Sequence, residues 1–118
     1  MIEQLAQLQS WPNGSVSIVS AAGALASLQD VHFVGETATW IEQAKKYTIE
    51  KLEQLNIPCI PSYSNFIYFS LANYKKDFFE QLKIHNINGT KIYEEKGKWS
   101  RITIGTMAEM KRFIVALE

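Results

Sequence analysis

Between residues 16 and 28 the apolar positions Val16, Val19, Ala22, Leu25 and Ala26 recur at the interval of a helix. The positions between them are Ser, Ala and Gly, so the predicted helix is slim on every side and has no charged face. Such a helix suits burial, either in this domain's core or against a partner. Asp30 is placed to cap a second helix. In it Val34, Ala38, Ile41, Thr48, Leu52 and Leu55 keep the helical period, with Trp40, Ala44 and Tyr47 alongside. Glu42, Lys45, Lys46, Glu50, Lys51 and Glu53 fill much of the opposite side. Running over residues 31–55, this helix spans roughly 37 Å.

Asn56, Pro58 and Pro61 stop it. Residues 64–70, rich in aromatic and β-branched side chains, predict a strand. Residues 74–84 predict an amphipathic helix carrying Phe78, Phe79 and Leu82 inward, ended by Asn86 and Asn88-Gly89. A short strand over 90–93, a charged turn over 94–98 and a third strand over 99–104 follow. Thr106-Met107-Ala108-Glu109 has the capping-box form and opens a last helix with Met110, Phe113, Ile114 and Leu117 on its core side. The order helix, helix, strand, helix, strand, strand, helix predicts an α+β fold, with a three-stranded sheet covered by helices on one side.

Composition adds one asymmetry to this picture. The 118 residues carry 12 Lys+Arg and 12 Asp+Glu, a formal net charge of zero. That balance gives no electrostatic reason to expect nucleic acid or an anionic membrane as a partner. Of the charged residues, only Glu3 and Asp30 precede position 31. A segment that avoids charge this strongly is expected to be covered by protein. Its Pro12, Gly14, Gly23 and five serines exclude the near-continuous large apolar content of a membrane span. The turn cluster Ser10-Trp11-Pro12-Asn13-Gly14 breaks it further. The single cysteine, Cys59, excludes an internal disulfide framework and a Cys-based zinc site, and a reducing cytoplasm is the expected compartment.

Few residue patterns offer chemistry. His32 and His85 lie far apart and lack partners at metal-ligand spacing, so no metal site is expected. No glycine-rich phosphate loop is present, and Glu94-Glu95 falls on a predicted exposed turn. Two strings stand out. In Trp99-Ser100-Arg101-Ile102-Thr103-Ile104 a cation interrupts an aliphatic strand, and must either reach water, as on an edge strand, or meet an anion. Its planar fork matches a carboxylate, and such charge-assisted bonds contribute roughly 1.5–3 kcal/mol. In Pro61-Ser62-Tyr63-Ser64-Asn65-Phe66 an Asn enters an aromatic strand and wants hydrogen-bond partners, or caps it.

These strings resemble a known family. Pro61-Ser62-Tyr63-Ser64-Asn65-Phe66 is similar to the Pro-Ser-x-x-Asn-Phe entry to a strand in class I/II aminotransferases of the histidinol-phosphate type. Arg101-Ile102-Thr103-Ile104-Gly105-Thr106, followed by Glu109-Met110, resembles the Arg-Ile-[Ser/Thr]-[Ile/Val]-Gly-Thr-x-x-Glu string near that family's C-terminus. The stretch from Ser17 to Asp30 is similar to the family's Ala-rich helix ending in Leu-x-Asp. In this order the blocks cover essentially the whole chain.

The resemblance implies the small domain of a fold-type I pyridoxal-phosphate enzyme, built here from residues 31–118. Residues 1–30 would belong to, or pack on, a large domain. It implies amino transfer between an amino-acid-like or amino-alcohol phosphate donor and a 2-oxo acid, by a homodimer. In the family a lysine forms a Schiff base with the cofactor. No Ser-x-x-Lys string occurs in this sequence, so the chain alone is expected to hold no cofactor and to be inactive. Arg101 matches the family's clamp for the substrate carboxylate, and Asn65 matches an Asn that supports that site. Lys91 falls where the histidinol-phosphate enzymes place an Arg for the substrate phosphate. Lysine is a point charge without a fork, a departure that weakens the match to that substrate. The alternative is a stand-alone α+β module that binds a ligand through Arg101 or dimerises through its bare helix.

Overall fold

The computed structural model describes residues 17–89 and 91–118. The chain divides between Val34 and Gly35 into two compact units. In the first, helix α1 (Ile18–Gln29) has no buried residue, and Ser27 Oγ turns back to donate to the Gly23 carbonyl at 3.0 Å. Asp30 then takes the cap role: its Oδ1 accepts from the backbone N–H groups of His32 and Phe33, both at 3.1 Å. Val16 and the expected turn at 10–14 lie outside the described residues.

Helix α2 (Phe33–Gln54) has 22 residues and is shorter at each end than the expected 31–55. Its apolar stripe is used unevenly. Ala44, Thr48 and Leu52, one turn apart, are buried, whereas Trp40 stays 63% exposed and Ala38 is exposed too. Thr48 can sit in the core because its Oγ1 donates to the Ala44 carbonyl at 2.7 Å. At the C-terminal end Asn56 takes a positive φ of 60°. Ile57 N–H then reaches Leu52 O and Asn56 N–H reaches Glu53 O, both at 2.9 Å, and Leu52 and Ile57 are both buried. This is a Schellman cap with its hydrophobic contact.

The same device ends the third helix. Helix α3 (Phe78–Ile84) is followed by Asn86 at φ 53°, with Ile87 N–H on Leu82 O at 2.8 Å and Asn86 N–H on Lys83 O at 3.0 Å. Arg112 adds to it, donating to the carbonyls of His85 and Asn86 at 2.7 and 3.3 Å. The helix starts later than the expected Tyr74 because the Asp77 side chain accepts from Glu80 N–H and opens it at Phe78. Tyr74 instead donates through its hydroxyl to Leu117 O at 2.9 Å. Phe79, expected inward, is 39% exposed; Phe78 and Leu82, four apart, are the buried pair.

The sheet has four strands rather than three, ordered β1-β2-β4-β3 and antiparallel throughout. They are β1 (Cys59–Ile60), β2 (Phe66–Ser70), β3 (Ile92–Glu94) and β4 (Trp99–Thr103). The extra strand, β1, is two residues long between Pro58 and Pro61, too short to show a period. It pairs Cys59 with Phe69 and Ile60 with Tyr68. The β3–β4 turn closes with Lys98 N–H on Glu95 O at 3.1 Å, and needs Gly97 because φ there is +87°. A Cβ at Gly97 would also come within 2.7 Å of the Trp99 indole nitrogen. Helix α4 (Met107–Leu117) completes the chain.

The register of β2 on β4 sorts the side chains into two faces. Ile67 opposite Ile102 and Phe69 opposite Ser100 point to the core. Phe69 lies 5.7 Å from Phe78 of α3 and 6.5 Å from Phe113 of α4, between ring centroids. With Met110, Ile114 and Leu117 they form one cluster that also takes in Ala44 and Leu52 of α2. Burying a side chain of this size stabilises by roughly 1.5–3 kcal/mol before entropy is counted.

Candidate functional site

The other face of the sheet carries the candidate chemistry. Phe66 opposite Thr103, Tyr68 opposite Arg101 and Ser70 opposite Trp99 all point there. Ser70 is buried and donates to the Gly97 carbonyl, fastening the turn to β2. Tyr68 stacks on Trp99, with centroids 5.3 Å apart and planes 7° apart, and meets Tyr93 edge-on at 6.5 Å. Arg101 is exposed in this aromatic setting. Its guanidinium carbon lies over the Phe66 ring at 5.0 Å and over the Tyr93 ring at 5.2 Å. Lys91 Nζ lies over the same Tyr93 ring, also at 5.2 Å. Arg101 and Lys91 therefore share a ring, and their charges are no more than twice that distance apart.

No carboxylate among the described residues forms an ion pair with either cation. The site is thus two cations on one aromatic surface, neither paired with a carboxylate of the described residues; Glu109 lines the adjoining cavity, its Oε2 bonded to Thr106. Rings engage the face of a guanidinium and leave its N–H edge to form two parallel bonds with a carboxylate. β4 lies between β2 and β3, yet Arg101 is exposed and reaches water, as the edge-strand alternative expects. β3 covers only part of β4, pairing with Trp99 and Ser100 and not with the segment from Arg101 to Thr103. At that uncovered end opens a cavity of about 660 Å3. Arg101, Tyr93 and Arg112 contribute to its lining beside Phe78, Ile102 and Phe113.

Asn65 is not part of this group. Its carbonyl accepts from Ile104 N–H at 2.8 Å, and its exposed side chain makes no hydrogen bond to the described residues. The loop before it is held by Lys45 of α2, whose Nζ donates to the carbonyls of Ser62 and Ser64 at 2.9 and 3.0 Å. Ser64 N–H also donates to Ser62 Oγ, at 3.1 Å. The serines of this string thus build the entry to β2.

The Gly-Thr-x-x-Glu string has a structural cause as well. Thr106 Oγ1 accepts from Glu109 N–H at 3.3 Å, and Glu109 Oε2 accepts from Thr106 N–H at 2.7 Å and from its hydroxyl at 2.8 Å. A Cβ at Gly105 would stand 2.5 Å from that Oε2, so any side chain there displaces the cap. The bonds from the Thr106 backbone and hydroxyl hold the Glu109 carboxyl below its ordinary range. Burial, with Glu53 adding repulsion, pushes the Cys59 thiol up to about 11, which keeps it neutral and inert. Burial alone raises Tyr74. None of these three groups touches Arg101 or Lys91 through a hydrogen bond.

Sequence reasoning placed Arg101 and Lys91 but missed Tyr93, Phe66, Tyr68 and Trp99, which surround them. Phe66 and Tyr68 sit in a run that is apolar at every position, so no alternation marks their face, whereas Trp99-Ser100-Arg101 does alternate about the buried Ser100. No lysine lines the cavity, and Lys45, whose ammonium is partly buried, is committed to two carbonyls. No group of three or more His, Cys, Asp or Glu suited to a metal occurs among the described residues. Nor is any single helix among them long and apolar enough to cross a membrane.

Comparison with known proteins gives the wider frame. The family model described as aminotransferase class I and II matches residues 1–117. A histidinol-phosphate aminotransferase of Clostridium beijerinckii is 32% identical over 99% of this chain and 34% of its own length. That of Methylobacillus flagellatus is 31% identical over 88% of this chain and 28% of its own. The crystal structure of an inferred histidinol-phosphate aminotransferase from Erwinia carotovora atroseptica superimposes with a TM-score of 0.80. The match covers 98% of this chain and 33% of that one, at 22% identity, and speaks for the fold. The chain spans about a third of the length of the relatives it matches.

Proposed function

Because the chain belongs to the class I and II aminotransferases, we propose that it forms the substrate-carboxylate-binding, C-terminal portion of a pyridoxal-phosphate aminotransferase. The observation that carries this reading is Arg101, an exposed guanidinium set over two rings with no carboxylate partner among the described residues. Lys91, on the same ring, would meet a second anionic group of the substrate, a phosphate or a distal carboxylate. Asn65 supports the loop end of the site through its backbone rather than touching the ligand. Residues 1–30 would contact the large domain, residues 31–118 form the small domain, and the complete enzyme works as a dimer. The transfer runs between an amino-acid-like or amino-alcohol phosphate donor and a 2-oxo acid. The Schiff-base lysine lies in the large domain, so this chain alone binds no cofactor and turns nothing over.

The test is to co-produce this chain with the preceding two-thirds of the Clostridium beijerinckii relative. Cofactor absorbance and transaminase activity should appear only when both are present. Borohydride reduction of the isolated chain with pyridoxal phosphate should leave no lysine labelled stoichiometrically, and one such lysine would overturn the reading. If the two pieces bind each other but recover neither absorbance nor activity, the stand-alone ligand module becomes the better account.

A further inference from the structure

Among the described residues, Tyr93 is the one whose ring lies under both cations of the site, and nothing in the Arg101 motif points to it. It lies on β3 at the edge of the sheet, 45% exposed, between its two strand neighbours Ile92 and Glu94. Arg101 could otherwise sweep a wide cone, because it is exposed and no carboxylate of the described residues holds it. Two rings limit that freedom. Phe66 comes from the strand paired with β4 on one side, and Tyr93 from the strand paired on the other. Tyr93 is itself braced by the edge of Tyr68, which stacks on Trp99. The chain of rings runs across the sheet and ends at the guanidinium.

We propose that Tyr93 is the positioning residue for Arg101: with Phe66 it holds the guanidinium by its faces and presents the N–H edge to a carboxylate. The same ring keeps Lys91 beside Arg101, so two cations that repel each other are held ready for an anion. Ordering the arginine before the ligand arrives removes part of the side-chain entropy that binding would otherwise cost. This role rests on the carboxylate site proposed above, and adds to it a residue that meets no substrate itself.

The experiment uses the chain as it is and needs no cofactor. Nitrogen- and carbon-resolved NMR of the Arg101 side chain in the wild type, Tyr93→Leu and Tyr93→Phe gives two readouts. Without ligand, ring currents should shift the Arg101 Hδ and Hε resonances upfield in the wild type and in Tyr93→Phe, and less in Tyr93→Leu. With oxalate or succinate added, the Arg101 Hε should move in all three, with Tyr93→Leu binding about fivefold more weakly and Tyr93→Phe as the wild type. Amide spectra that stay dispersed in both variants confirm that the fold is intact, and rescue by Phe separates the ring from the hydroxyl. Equal carboxylate affinity in Tyr93→Leu and wild type overturns the role of Tyr93 and leaves the Arg101 site standing. An Arg101 that ignores carboxylate in the wild type overturns the site and this role together.

Discussion

The two faces of the sheet are made from the same short segments and ask opposite things of them. On the core face lie Ile67, Phe69, Ser100 and Ile102; Phe69 meets Phe78 of α3 and Phe113 of α4, and Phe69 and Ser100 are fully buried. On the open face Phe66, Tyr68, Trp99 and Arg101 are half-buried or exposed, and they touch each other and Tyr93. The core face is selected for volume, since packing at crystal-like density penalises any change of size. The open face is selected for what the rings hold. A slip of one residue in register would exchange them, putting Arg101 into the core. What fixes the assignment is that Ser100 can be buried at little cost and Arg101 cannot. Ser100 donates to the Lys91 carbonyl at 2.9 Å, whereas a guanidinium there would need a partner that the core lacks.

The largest expected effect tests that difference of purpose. Phe69→Ala should lower stability by about 3–5 kcal/mol in urea denaturation, because the void between Phe78 and Phe113 cannot close. Tyr68→Ala, one residue along, loses a stacked but half-exposed ring, and should cost about half as much or less. Equal losses at the two positions would erase the distinction between the faces. A smaller test lies at Ser100, where alanine should cost about 1 kcal/mol by leaving the Lys91 carbonyl without its donor.

Next comes the cap that joins the end of β4 to α4. Thr106→Ala should cost about 1 kcal/mol in the same denaturation assay. Its pH dependence has a definite sign. The Glu109 carboxyl is lowered in the folded chain, so the stability it contributes is present above the ordinary carboxylate range and is lost as the pH falls through its folded value. Wild type and Glu109→Gln should therefore differ at neutral pH and converge in acid. A gap that persists below the folded value would show that the carboxylate charge is not what the cap uses. At the alkaline end the sign reverses: Cys59, raised to about 11, keeps the fold favoured below the thiol's ordinary value and loses that contribution as the pH rises through 11. Cys59→Ala should flatten the alkaline limb of the stability curve.

Where sequence and structure agree, the cause is local. Asp30, Asn56, Asn86 and the Thr106–Glu109 box act within a few residues of themselves, so these caps are legible one string at a time, whereas the Asp77 cap lay inside the helix expected from Tyr74. Asn56 and Asn86 even share a pattern, with Leu four positions before and Ile directly after. Pairing across the sheet is not local in that sense. Phe66-Ile67-Tyr68-Phe69 is apolar at every position, so no alternation tells which two side chains face the helices. β1 shows itself only by its partners on β2. Tyr93 looks like ordinary strand material until β3 is laid beside β4 and its ring falls under two cations. The apolar stripe of α2 overstates burial for the opposite reason. It extends to Ala38 and Trp40, but within the described unit the core reaches only as far as Ile41.

The smallest expected change in stability belongs to the residue with the largest expected consequence for binding. Arg101→Ala removes an exposed cation that pairs with no carboxylate among the described residues, so its unfolding midpoint should stay within about 0.5 kcal/mol of wild type. Two terms oppose each other there. The stacking on Phe66 and Tyr93 is lost, which destabilises, and the repulsion between Arg101 and Lys91 is relieved, which stabilises. Salt should screen the second term and leave the first, so the variant should lose ground slightly against wild type as ionic strength rises. Carboxylate binding at the open face should vanish in the same variant. If Arg101→Ala instead unfolds the chain as Phe69→Ala does, the open face belongs to the core in all but name, and the guanidinium is held for the fold rather than for a ligand.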